Sequence, residues 1–279
     1  MSFVQHEFLW FFLAVWLVYW RLPRRGQNLL LAVSSLIFYG WVTPWLVLLL
    51  LYSAALDYSC GRLIADRPGQ RRRWLGLSLV GNALLLGTFK YLDFLLESVS
   101  AALVALGLGE STYTLGILLP VGISFYTFQT MSYTLDVYWG KLEPRRDFLD
   151  YLVFVSFFPQ LVAGPIERAG RILPQIEAPR SLTSAAMRSG LSLALWGVSK
   201  KVVIADTLAP YVNAIYAAPD PAPLLLWTAA AGFMVQMLAD FSAYSDIARG
   251  TARMLGFELM RNFRHPYLAR SPTELWERW

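Results

Sequence analysis

The chain has 279 residues, 56% hydrophobic and only 15% charged, with a formal net charge of +5. Soluble domains are about a quarter charged. The 11 Trp, 14 Tyr and 17 Phe add residues that collect where a membrane meets water, so an ordinary soluble domain is excluded. Long unbroken apolar runs also exclude a membrane β-barrel, which shows short alternating segments. The positive charge does not point to nucleic acid, because the arginines fall in short loops between apolar runs, where they set membrane orientation. Cys60 is the only cysteine, which rules out an intrachain disulfide and a Cys/His metal cluster. A buried, inert thiol is its expected state.

Residues 3–20, FVQHEFLWFFLAVWLVYW, form the first expected span. No positive residues precede it as they would in a signal peptide, so it reads as a retained helix. RLPRRGQ follows with three arginines. Residues 28–42 and 44–61 make two more spans, divided by the turn signal Thr43-Pro44. GRLIADRPGQRRRW then supplies five arginines. The two basic loops lie two spans apart, which places both inside and the N-terminus outside. Residues 74–92 return outward. FLLESVSAALVALG reads as an amphipathic helix along the outer interface. Residues 115–138 cross inward to the basic loop WGKLEPRRDF.

FLDYLVFVSFFPQLVAGPIERAGRILPQ breaks this pattern, interrupted by Pro159 and stopped by Gly164-Pro165. A full crossing would send Arg168, Arg171, Arg180, Lys200 and Lys201 outside, so a re-entrant segment is expected. Irregular backbone at membrane depth must be enclosed by protein or line a wet cavity, which makes the break a weak site signal. Residues 186–204 read as amphipathic and 223–257 as one or two further spans. With no repeat and no linker, residues 1–279 read as a single transmembrane domain. The fold class is an all-α polytopic membrane protein.

The stretch FMVQMLADFSAYSDIARG carries Gln236, Asp240 and Asp246 into apolar surroundings, where a carboxylate costs a few kcal/mol. Gln236 and Asp240 are four apart and share a helix face. Asp240 has no basic neighbour in sequence and is expected to face a wet cavity. Asp246 is expected to pair with Arg249 or Arg253. Ser242, Tyr244 and Ser245 add hydroxyls, which in the plainer reading bond to helix carbonyls. Gln129 and Asp136 read as packing and an interfacial acid. His265, in NFRHPYLARS, reads as interfacial rather than as a general base, and His6 is weaker still. There is no nucleotide loop, nucleophile elbow or metal spacing. Spacing alone leaves acyl or lipid chemistry, transport and scaffolding open.

Four stretches, in order, resemble the membrane-bound O-acyltransferase family in its alginate O-acetyltransferase branch. They are LPVGISFYTFQTMSYTLDVYWG, FFPQLVAGPIERAGRILPQ, DFSAYSDIARGTARMLGFEL and NFRHPYLARSPTELWERW. The resemblance covers the whole chain. In the family, the segment like SPTELWERW leads into a histidine-bearing stretch, and a further apolar part carries the catalytic histidine. The chain therefore resembles an N-terminal part, somewhat more than half, and by itself is expected to be inactive. Ala243 departs from the glycine usual in this branch.

The resemblance implies a multi-helix bundle that transfers an acetyl or other acyl group to a hydroxyl, with a histidine as general base at the neck of a tunnel. The implied acceptor is an exopolysaccharide such as alginate, and the donor is acetyl-CoA or an acyl-carrying partner. No bound cofactor or metal is implied. Periplasmic or membrane-anchored acetylation partners and a bacterial inner-membrane location are. Gln236, Asp240, Ser242, Tyr244, Ser245 and Asp246 would line or brace the tunnel wall. Pro159, Gln160, Gly164 and Pro165 would shape the re-entrant break. Tyr267, Arg270 and Trp276 would lead toward the histidine stretch. None of these is expected to be the catalyst. The alternative is a polysaccharide or lipid transporter, or a non-catalytic membrane scaffold. A transporter should show broken helices in repeated positions, and only one break is present.

Overall fold

The computed structural model describes residues 1–108, 114–116, 119–161, 164 and 167–279. Pro165 and residues 117–118 of the expected 115–138 span lie outside that set. The described residues form helices and turns, with no strand.

Helix α1 spans His6–Tyr19 and α2 spans Arg24–Gly40, with Pro23 at the N-cap between them. Pro44 opens a short 3₁₀ turn that runs into α3, Val47–Asp66, a position where its fixed φ and missing N–H suit a helix start. Pro68 repeats this device ahead of α4, Arg71–Leu86. α4 then passes through a π-helical turn, Gly87–Tyr91, into α5, Leu92–Ala105. The result is one helix of 38 residues, Pro68–Ala105. This corrects the expected stop at residue 92. No proline interrupts the segment, and the π turn absorbs Gly87, so the backbone ladder continues.

α6 covers Ile123–Tyr138 and starts after Gly122, whose φ of 76° is left-handed. α7, Phe148–Ser156, is N-capped by Asp147, and α8 covers Ala169–Glu177. α9, Ser184–Ser199, is N-capped by the Thr183 side chain. It runs through a second π turn, Lys200–Ala205, into α10, Asp206–Ala217. α11 is a single 32-residue helix, Pro223–Met254, and α12 covers Pro272–Arg278.

Three helices are long and apolar enough to cross a membrane, among the described residues: Pro44–Asp66, Pro68–Ala105 and Pro223–Met254. Their outer faces expose large apolar side chains such as Phe94, Leu224 and Trp227. Lipid can solvate those faces, because its chains are as apolar as leucine.

The expected re-entrant segment is enclosed by protein. Tyr151, Val153, Phe154, Val155, Phe158 and Leu161 are buried, as are Ile172, Leu173 and Ile176 of α8. The turn after α7 is held by side-chain amides. Gln160 and Gln129 both donate to the Phe154 carbonyl at 2.8 Å, and Phe158 N–H donates to Ser35 Oγ at 3.0 Å. Gly164 N–H donates to the Gln160 carbonyl at 3.0 Å. A Cβ at Gly164 would lie 2.4 Å from Gln160 Cα, so this turn needs glycine. Among the described residues, these bonds give partners to the Phe154 and Gln160 carbonyls and the Phe158 and Gly164 N–H groups, as burial demands.

Two further features organise the bundle. Asp57 of α3, fully buried, accepts from the Ser78 hydroxyl, from Asn82 Nδ2 at 2.8 Å and from Thr134 Oγ1 at 2.9 Å, tying α3 to α4 and α6. At the other end, α1 closes the last turn of α11. Trp16 and Trp20 donate to the Met254 carbonyl at 3.1 and 3.2 Å, and Tyr19 donates to Leu255 O at 2.9 Å. Terminal helix carbonyls have no partner within their own helix, and these aromatic donors supply one.

Candidate functional site

α9 and α11 meet at a seam of small residues. A Cβ on Gly190 would lie 2.7 Å from the Gly250 carbonyl, and one on Gly197 would lie 2.7 Å from the Ala243 carbonyl. Small residues let helix backbones approach this closely within a membrane. The seam brings Lys200, the first residue of the second π turn, against α11. π turns often mark functional positions.

Beside the seam lies a cavity of about 460 Å³ between α9, α11 and residues 261–266. Lys200, Ser242, Ser245, Asp246, Arg249, Arg261, Asn262 and His265 contribute its polar lining, and Trp196, Leu238 and Phe263 are among its apolar lining. Lys200 Nζ donates to Ser242 Oγ at 2.9 Å and to Asp246 Oδ2 at 2.7 Å. Arg249 Nη1 reaches Asp246 Oδ1 at 3.4 Å. His265 sits on the exposed side of this wall with a left-handed φ of 54°, and its Nε2 is 3.5 Å from Arg261 Nη2. Chemically, the cavity offers hydroxyls, an imidazole and an excess of cations beside an apolar surface.

Of the residues expected at a tunnel wall, Ser242, Ser245 and Asp246 line this cavity. Gln236, Asp240 and Tyr244 do not. Tyr244 packs its ring 4.5 Å from Phe3. Asp240, expected without a cation, is instead bound by Lys201 Nζ at 2.9 Å, and Lys201 also holds Asp206 at 2.7 Å. Asp246 pairs with Arg249 as expected, whereas Arg253 pairs with Glu258 at 2.7 Å. Pro159, Gln160 and Gly164 lie in the enclosed turn after α7. Tyr267 donates to the Met234 carbonyl at 2.7 Å, the Arg270 N–H donates to Glu274, and Trp276 is exposed.

Sequence reasoning missed Arg261 and Asn262, which add to the polar lining, and three further residues. His265, read as an interfacial turn residue, lines the cavity. Lys200 and Lys201 supply the cations of Asp246 and Asp240. Lys200 and Asp246 are 46 residues apart, so only the packing of α9 on α11 reveals them. The adjacent lysines facing a helix with two intramembrane acids were the available signal.

No model of a protein family matches the chain. Among curated proteins, the probable alginate O-acetylase AlgI of Azotobacter vinelandii is 38% identical over 286 residues, covering 100% of this chain and 56% of that protein. The probable alginate O-acetylase AlgI of Pseudomonas aeruginosa is 38% identical over 283 residues, covering 100% of this chain and 54% of that protein. The peptidoglycan O-acetyltransferase of Helicobacter pylori is 32% identical over 308 residues, covering 98% of this chain and 57% of that protein. The chain spans somewhat more than half the length of the curated relatives it matches.

Proposed function

Because the chain belongs to the membrane-bound O-acyltransferase family, in its alginate O-acetylase branch, we propose that it serves the transfer of an acetyl group to a hydroxyl of an exopolysaccharide such as alginate. The observation that carries this reading is the cavity at the α9–α11 seam. It takes part of its wall from two of the stretches that carry the family resemblance, DFSAYSDIARG and NFRHP, and the rest from α9, Lys200, Leu238 and Arg261, and it combines hydrogen-bonding groups with cations.

Its residues divide the work by chemistry. Lys200, Arg249 and Arg261 would attract a negatively charged donor or acceptor. Ser242, Ser245 and Asn262 offer polar contacts for orientation. Acetyl-CoA or an acyl-carrying partner is the proposed donor. Periplasmic or membrane-anchored partners would complete the transfer. The proposed location is the bacterial inner membrane, with the N-terminus outside.

The decisive experiment is deletion of the gene in its host, followed by measurement of ester-linked acetate on the exopolysaccharide. Loss of acetate with unchanged polymer yield is expected. Loss of polymer with unchanged acetylation would favour a transporter instead. The further reading that these 279 residues do not suffice for catalysis is supported by His265, the cavity's imidazole, which is exposed and lies against the Arg261 guanidinium rather than a carboxylate that would strengthen it as a base. Purified chain with labelled acetyl-CoA and oligouronate should show no transfer. Robust transfer abolished by His265→Ala would overturn that reading and make the cavity imidazole the base.

A further inference from the structure

The cavity at the α9–α11 seam already holds an anion, the Asp246 carboxylate. Three cationic side chains, Lys200, Arg249 and Arg261, line the space with this one carboxylate, and Glu258 Oε1, outside the lining, lies 4.0 Å from Arg249 Nη2. The Lys200, Arg249 and Asp246 side chains are only 13%, 12% and 19% exposed. Their occupation is uneven. Lys200 binds Asp246 at 2.7 Å, but Arg249 reaches it only at 3.4 Å, beyond the 2.7–2.9 Å of a strong charged hydrogen bond. Among the described residues, Arg249 Nε has no hydrogen-bond partner. Arg261 spends its Nε on the Phe263 carbonyl.

We propose that Asp246 is an internal counter-ion seated in an oxyanion site, and that an oxyanion-bearing substrate takes over Lys200 and Arg249 by displacing it. The carboxylate keeps two nearly buried cations compensated while the site is empty, since an unpaired buried charge is strongly destabilising. It also sets a threshold. A neutral ligand cannot replace the carboxylate it would push aside, whereas an anionic one exchanges like for like. Asp246 is thus a specificity-determining residue. Assigning the oxyanion to a substrate rests on the acyl-transfer reading, as the phosphate of a donor or the carboxylate of an acidic sugar acceptor. The binding itself does not depend on that reading.

The test uses the chain in detergent with inorganic pyrophosphate, glucuronate and, as a neutral control, glucose, at constant ionic strength. Asp246→Asn should melt below wild type. Pyrophosphate, glucuronate or both should restore its melting temperature, binding about tenfold tighter than to wild type, which is about 1.4 kcal/mol. Adding Lys200→Gln should abolish the rescue, and glucose should have no effect. Rescue by pyrophosphate alone identifies a phosphate-bearing ligand, and rescue by glucuronate alone identifies an acidic sugar. A second readout needs no variant. In wild type, saturating oxyanion should make Asp246 more reactive toward a carbodiimide, followed by mass spectrometry. Failure of both anions to stabilise Asp246→Asn, or unchanged Asp246 reactivity with the anion bound, would overturn the proposal. Neither readout involves acyl transfer, so an error in the proposed enzymatic function would leave it standing.

Discussion

Asp57 shows how one buried carboxyl can organise three helices. Its oxygens accept from Ser78, Asn82 and Thr134, and Asn82 in turn accepts from Ser53 Oγ at 3.0 Å. Asp57→Ala would leave the Ser78 hydroxyl without its acceptor, Asn82 with only the Ser78 carbonyl and Thr134 with only the longer bonds to the Asp57 and Thr130 carbonyls, at about 1–3 kcal/mol for each group left unsatisfied. The expected outcome is a large fall in detergent melting temperature, with Asp57→Asn distinctly milder because it keeps one acceptor oxygen. Equal melting of the two variants would show that the cluster does not brace α3. Glu258 gives a pH-dependent case outside the spans. Its carboxyl is held below the ordinary value of 4.5, first by its hydrogen bonds with Arg253, against a smaller opposing effect of burial. A depressed carboxylate contributes stability above its unfolded value and loses it as pH falls through the folded value. Glu258→Gln should therefore melt below wild type at neutral pH, and the gap should close in acid, well below pH 4.5. A gap that persisted in acid would count against the ion pair. The acids of α11 mark the limit of local reading. Asp246 and Arg249 share one helix at a spacing that brings side chains together, so their pairing was legible. The lysines were not, because their proximity is created by helix packing.

At the scale of elements, the seam between α9 and α11 is the feature on which the site's geometry depends. Gly197→Ala would put a methyl group 2.7 Å from the Ala243 carbonyl and the same distance from an Ile247 side-chain carbon. Neither helix can yield locally, so the two must separate, at about 1–3 kcal/mol for overpacking of this kind. The measurable outcome is a lower melting temperature together with weaker protection of Asp246 from carbodiimide, since Lys200 would move away with α9. Unchanged protection would mean that the π turn holds Lys200 independently of the seam. Most element positions could be read from hydrophobic runs and from Pro and Gly punctuation. Thr43-Pro44 divides α2 from α3, and Pro159 with Gly164 marks the enclosed turn. The junction at residues 87–92 could not be read this way. The π turn begins at Gly87, but a single glycine does not end a helix, nor does a change from apolar to mixed composition where the hydrogen bonds continue.

For the molecule as a whole, the basic loops give a testable orientation. Single cysteines placed in loops 21–27, 62–73 and 139–147 of a Cys60→Ser chain should react with an impermeant reagent only after the membrane is permeabilised, following the positive-inside rule. Labelling of the 62–73 loop in intact cells would reverse the assignment. Apolar runs and charged loops made the membrane class legible because they answer to the bilayer, which acts on each segment separately. The cavity answers to contacts between distant segments, and a linear reading could locate only some of its walls. The same remoteness governs the order of assembly. Trp16, Tyr19 and Trp20 bond to carbonyls 234 to 238 residues further along the chain. At ribosomal rates of about 5–20 residues per second, those carbonyls emerge roughly 10 to 50 seconds after α1. α1 therefore waits for this latch until α11 is complete. A ribosome-stalled chain ending before Met254 should leave Trp16 and Trp20 more open to oxidation than the finished protein does. Equal protection in the two would mean that α1 docks without its latch. Until residue 255 is made, the N-terminal helix is a guest in the membrane, open to capture by an insertase or a chaperone.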